Sequence, residues 1–181
     1  MKRLSIRLHN KLARIAVASL LAMSSLSAQQ LTMGDMVLYV PNTGGLNQGA
    51  IEAGNDVEIN SGMIYSGQLM TAKNKFEHGG SLYSDKSIVL GNDAVIDGSI
   101  YAAGPPMNIV SILIGKKLTI LGNVLAQNKV FIGSKNTVIA GSVTVPQTNF
   151  YFGPTPQGGV VIAQPAFPLM PALPAAKVFP Q

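Results

Sequence analysis

The stretch "GNDAVIDGSIYA", Gly91 to Ala102, decides the fold. Its apolar residues come in short groups broken by Gly, Asn and Asp, a spacing that suits neither an amphipathic helix nor a membrane span. Four other segments follow the same plan when aligned on one Gly: "DVEINSGMIYSG" (Gly62), "NKFEHGGSLYSD" (Gly80), "KLTILGNVLAQN" (Gly122) and "NTVIAGSVTVPQ" (Gly141), with Gly98 as the anchor of the first. The anchors lie 18, 18, 24 and 19 residues apart, and the long interval holds "GPPMN", Gly104 to Asn108, which reads as an inserted loop.

The columns of this alignment have a physical pattern. Two positions after the anchor stand Ile64, Leu82, Ile100, Val124 and Val143, and four positions after it Ser66, Ser84, Ala102, Ala126 and Val145. Between them lie Tyr65, Tyr83, Tyr101, Leu125 and Thr144. Large-in, variable-out, small-in is the period of two expected of a short strand. Seven or eight positions before the anchors, Gly54, Ala72, Gly91, Gly115 and Gly133 read as a corner column. Strands of this length joined by Gly and Asn corners, repeating about every 18 residues, predict an all-β fold: a single-stranded parallel β-helix of about five coils. Gly and Asn are expected at the corners because they accept positive φ. Either hand of winding satisfies these spacings.

Outside the repeat the chain changes character. "MKRLSIRLHNKLARIAVASLLAMSSLSAQQ" places Lys2, Arg3, Arg7, Lys11 and Arg14 before an apolar run, Ile15 to Met23, and then small residues to Ala28. That order is the one expected of a secretory signal peptide over residues 1–28, with the basic n-region typical of bacterial export. The apolar run is shorter than the roughly 20 residues that span a bilayer, so the mature chain is expected to have no transmembrane span. Past Ala28 there are eight Lys, no Arg and eight acidic residues, so the net charge of +5 belongs to the leader. No clustered basic face remains to bind nucleic acid. Cysteine is absent, which leaves the core, and not disulfides, to hold an exported chain together.

Residues 29–50 read as an N-terminal cap or first coil, residues 51–145 as the β-helix and residues 146–181 as a proline-rich tail. In "PAFPLMPALP" Pro165, Pro168, Pro171 and Pro174 recur every third residue, the period of a polyproline II helix. Phe167, Leu169, Met170 and Leu173 occupy its other edges as candidate docking residues. Three destinations are open to this tail: the side of the solenoid, a partner, or a spacer to a further domain.

With the coils aligned, "VIDGSIYA", "ILGNVLAQ" and "VIAGSVTV" resemble the coil motif of the bactofilin, or polymer-forming, group of bacterial proteins, over roughly Gly54 to Val145. The resemblance implies a right-handed β-helix that stacks end to end into filaments without nucleotide. The leader departs from that group, whose members work at the cytoplasmic face, and would make this an exported variant. "IVLGNDAVIDGS" and "IGSKNTVIAGS" also resemble the hexapeptide repeat of acyltransferases, which implies a His base. His78 is the one His beyond the leader, and its place in "KFEHGGSL" suggests a solvated residue beside a corner.

The acids offer little chemistry. Asp56, Asp93 and Asp97 come nearest to a catalytic set, but Asp56 and Asp93 each precede a strand of a different coil, where a solvated corner carboxylate is the ordinary role. One Asp in each of two coils is also too few for calcium. No cofactor, metal or catalytic residue is expected. The expectation is an exported, non-enzymatic structural protein of the bacterial envelope or surface that self-associates or joins other surface proteins. The alternative is an adhesion module that grips a glycan through a candidate contact ladder of Tyr65, Tyr83 and Tyr101.

Overall fold

The computed structural model describes residues 31–42, 44, 49–104, 110–133 and 136–171. The leader, the "GPPMN" loop from Pro105 onward and Leu173 lie outside the described residues. The first coil consists of β1 (Met36–Val40), β2 (Ile51–Ala53) and β3 (Val57–Ile59). Each later coil supplies three more strands: β4 (Met63–Ser66), β5 (Met70–Ala72) and β6 (Phe76–His78), then β7 (Leu82–Ser84), β8 (Ile88–Leu90) and β9 (Val95–Ile96). There follow β10 (Ile100–Ala102), β11 (Val110–Ile114) and β12 (Thr119–Ile120), and then β13 (Val124–Ala126), β14 (Lys129–Ile132) and β15 (Val138–Ile139). β16 (Val143–Val145), β17 (Tyr151–Phe152) and β18 (Val160–Ile162) end the stack.

From β4 to β17 each strand stacks on the one three before it, and β18 stacks on β16, always parallel. The result is a three-sided β-solenoid of about six turns. The first side is a seven-stranded sheet from β1 to β18, the second a six-stranded sheet from β2 to β17, and the third a five-stranded sheet from β3 to β15. Strand stacking therefore runs past Val145, where the sequence repeat fades, through β17 and β18 to Ile162. Backbone pairing tolerates residue changes that erase the sequence columns.

The expected internal file is present. Ile64 pairs in register with Leu82, Leu82 with Ile100, Ile100 with Val124 and Val124 with Val143, all buried. Ser66, Ser84, Ala102, Ala126 and Val145 are buried as well, at the corner where small side chains let the backbone turn. Together with Ile88, Ile96, Ile112, Leu118 and Ile120 the aliphatic file and Ala102, Ala126 and Val145 form one continuous apolar core.

Polar ladders hold the corners. Asn74 N–H donates to Asn55 Oδ1 at 3.1 Å, Asn92 N–H to Asn74 Oδ1 at 2.8 Å, and Lys116 N–H to Asn92 Oδ1 at 2.8 Å. At another corner Ser99 N–H donates to Ser81 Oγ, Asn123 N–H to Ser99 Oγ and Ser142 N–H to Asn123 Oδ1, each at 2.9 Å. Each such bond links one coil to the next and satisfies a backbone donor that the strand ladder cannot reach.

Two corner expectations need correction. The left-handed corner is not built from glycine. Asp56, Lys75, Asp93, Lys117 and Asn136 hold it, with φ of 55°, 55°, 60°, 57° and 53°. Their charges alternate, and Lys75–Asp56 at 3.0 Å and Lys117–Asp93 at 3.2 Å are ion pairs between neighbouring coils. Stacking at about 4.8 Å would otherwise oppose like charges. The anchor glycines mostly serve another purpose. Of the five, only Gly62 has positive φ. At Gly98 a Cβ would lie 2.4 Å from Ser81 Oγ and 2.5 Å from the Gly80 carbonyl oxygen, and at Gly141 it would lie 2.3 Å from the Gly122 oxygen. Close approach of stacked backbones, not φ, excludes a side chain there. The other corner column also shifts by one residue. Ala72 belongs inside β5, opposite Ala53 and Leu90.

Candidate functional site

The tyrosine column lies on the outer face of the seven-stranded sheet, and the structure adds a residue to it. Tyr39 pairs with Tyr65, Tyr65 with Tyr83, and Tyr83 with Tyr101. Ring centroids are 4.7, 5.6 and 6.0 Å apart, and the Tyr39–Tyr65 pair is stacked at 18°. The segment Leu38–Tyr39–Val40 has the same large–Tyr–small order as Ile64–Tyr65–Ser66. Aligning the first coil on it would have found Tyr39 in the sequence.

This column is covered. After β18 the chain turns back along the sheet and Phe167 meets the Tyr83 ring edge-on at 6.2 Å. Phe167 and Met170 pack with Leu31, Met63, Tyr65 and Tyr83 in a second apolar cluster outside the main core. Leu31 N–H donates to the Leu169 carbonyl at 3.2 Å, and Tyr39 O–H to the Pro171 carbonyl at 3.2 Å. Of the three destinations open to the tail, its described part takes the side of the solenoid. Residues 167 and 170 share one edge of a three-residue period and face the sheet, while Leu169, on another edge, is exposed. Tyr65 and Tyr83 are only 6% exposed, and Tyr101 is half-buried.

Burial sets the chemistry of these phenols. Tyr65 O–H donates to Asp85 Oδ2 at 2.5 Å. Loss of solvent, followed by the Asp85 hydrogen bond and charge, pushes the Tyr65 hydroxyl well above its usual range. Burial, with Asp85 second, pushes Tyr83 up to about 12. Both stay protonated at physiological pH, and Tyr65 serves as a donor to Asp85 inside a strap-covered face.

The remaining sequence candidates are dispersed. Asp56 and Asp93 are taken up by the corner ion pairs with Lys75 and Lys117. Asp97 lies with Glu58 and Glu77 around a shallow depression on the third side. His78 is not a solvated corner residue: it lies inside the coil, 2% exposed. Its Nδ1 is 3.2 Å from the Ile59 carbonyl and its Nε2 3.3 Å from the Ser81 carbonyl. A neutral ring can donate to only one of them. Desolvation outweighs the attraction of these carbonyls and holds its pKa below the ordinary histidine value. Among the described residues no three His, Cys, Asp or Glu side chains gather as metal ligands, and no helix is long and apolar enough to cross a membrane.

Two features were not singled out in the sequence. On the outer face of the six-stranded sheet, Val89, Leu113, Phe131 and Phe152 are in register, with the Phe131 and Phe152 rings stacked at 4.5 Å and 4°. Leu113 and Phe152 are exposed, so this apolar strip is open where the tyrosine strip is covered. The signal existed as the outward position of each strand, but a Val, a Leu and two Phe do not look alike in an alignment. The second feature is at the ends. β1 and β18 are the outermost strands of the seven-stranded sheet, and Val160, Val161 and Ile162 of β18 are all exposed.

Fold and surfaces together define a parallel β-solenoid with an external strap and open apolar faces. The chain matches no family model, no curated protein and no solved structure.

Proposed function

We propose that this chain is an exported, non-enzymatic structural protein of the bacterial cell envelope or surface that acts by self-association or within a larger surface assembly. The carrying observation is the final strand, β18, whose Val160, Val161 and Ile162 are exposed and whose outer edge has no neighbouring strand among the described residues. An apolar unpaired edge is a template for another strand. The n-, h- and c-region order of residues 1–28 supports export, and the coil motif supports a polymer-forming, bactofilin-like role. Sedimentation velocity and electron microscopy of purified residues 29–181 test the proposal. Concentration-dependent assemblies are expected, and a monodisperse monomer at high concentration would overturn it.

The adhesion reading has one specific observation in its favour: the stacked, open Phe131–Phe152 pair offers a flat apolar contact of the kind sugar rings use. A glycan array that gives no hits, or hits unchanged by F131A/F152A, removes this reading.

A further inference from the structure

A solenoid is held together coil by coil. Each coil touches only its neighbours, so the two ends open most easily and independently of one another. Both ends are weakly held here: the strands of the first coil are only partly buried, and Val160, Val161 and Ile162 of β18 are exposed. The strap departs from the neighbour rule, because one short segment touches both ends.

It starts from β18. Ala163 N–H donates to the Val145 carbonyl at 3.0 Å, tying the end of β18 to β16, and Gln164 accepts from Gln127 at 3.1 Å. Midway, Phe167 meets Tyr83 on β7. The far part is held at the start of the stack. Met170 joins the cluster that contains Leu31 and Met36, Leu31 N–H donates to the Leu169 carbonyl, and Tyr39 O–H on β1 donates to the Pro171 carbonyl.

The strap is also taut. Four rungs separate β7 from β18, roughly 19 Å at about 4.8 Å each. The five residues from Ile162 to Phe167 reach at most about 18 Å when fully extended, and the Phe167 side chain covers the rest. With so little slack, β18 cannot leave β16 while Phe167 stays on Tyr83. Opening of the first coil, in turn, takes away Leu31 and Tyr39, the far anchors of the strap.

We propose that the strap couples the first and last coils of the solenoid, so that the two ends open together and not separately. Such a coupling is reciprocal: whatever loosens one end loosens the other. It acts within a single chain, and it holds in place the β18 edge on which the self-association reading rests.

Amide hydrogen exchange, followed by NMR on the full chain at monomeric dilution, tests this. Val57→Ala loosens the first coil from within, since Val57 packs against the main core and takes no part in the cluster under the strap. Lys73 N–H, bonded to the Ala53 carbonyl, reports on the first coil, and Ala163 N–H reports on the last. Six rungs, roughly 29 Å, separate β1 from β18. Val57→Ala is expected to speed exchange at both amides, by about threefold or more at Ala163. With Phe167→Ala also present, Lys73 should still respond and Ala163 should not, whereas Leu169→Ala, at an exposed side chain, should leave the coupling intact. Tyr39→Phe removes only the bond to Pro171 and should weaken the coupling, which keeps the test decisive where Phe167→Ala disturbs folding. An Ala163 amide indifferent to Val57→Ala in the otherwise unaltered chain would overturn the proposal. An equal response with and without Phe167 would overturn it too, because the effect would then travel through the stack and not the strap. The readout is taken on monomer, so its failure is separate from a failure to self-associate.

Discussion

Ile100→Ala tests the internal file at its centre. Ile100 has no exposed surface and lies in register between Leu82 and Val124. The substitution removes three carbons, about 2.4 kcal/mol of transfer free energy at roughly 0.8 kcal/mol each. The neighbouring rungs are fixed by backbone pairing on both sides and cannot collapse into the space, so a cavity contribution adds to this. The expected loss is about 3–4 kcal/mol, within the range for buried Ile→Ala changes. Val160→Ala, on the exposed last strand, removes two carbons that remain largely in water and should cost under about 0.5 kcal/mol. Both are measured by urea unfolding followed by far-UV circular dichroism, with the dependence on denaturant compared to show that the same structure unfolds. Equal losses at the two positions would refute the argument, because a continuous dry core must weigh its middle more heavily than its rim.

Gly98→Ala should lose about 1–3 kcal/mol, since its Cβ would meet Ser81 Oγ at 2.4 Å, whereas Gly54→Ala, with nothing within 4 Å, should be neutral or slightly stabilising; thermal melts of the two check this. Phe167→Ala should release the strap from Tyr83 at a cost of about 1–2 kcal/mol and make tyrosine emission more accessible to acrylamide, while Leu169→Ala should leave that quenching unchanged. His78 is held below its ordinary value of 6.5 by burial, so the folded state binds fewer protons than the unfolded state in that region. Stability from this residue is thus complete above pH 6.5 and is lost as pH falls from there through the folded-state pKa; His78→Leu should flatten that part of a stability-versus-pH profile.

What the sequence alone determined is the interior. Stacking at a constant period forces each inward position to meet its own counterpart, so Ile64, Leu82, Ile100, Val124 and Val143 had to agree in character, and that agreement is visible in one dimension. Outward and corner positions carry no such demand. The left-handed corner accepts Asp, Lys and Asn provided charges alternate, and the outer strip of the six-stranded sheet accepts Val, Leu and Phe alike. Nothing in the string of letters marks either as a column. Only the tertiary structure decided that the tyrosine column is covered by the tail and that His78 faces inward. The cover is settled by contacts between residues more than a hundred positions apart, such as Tyr39 and Pro171, and the place of His78 by carbonyls of its own and the preceding coil, Ser81 and Ile59.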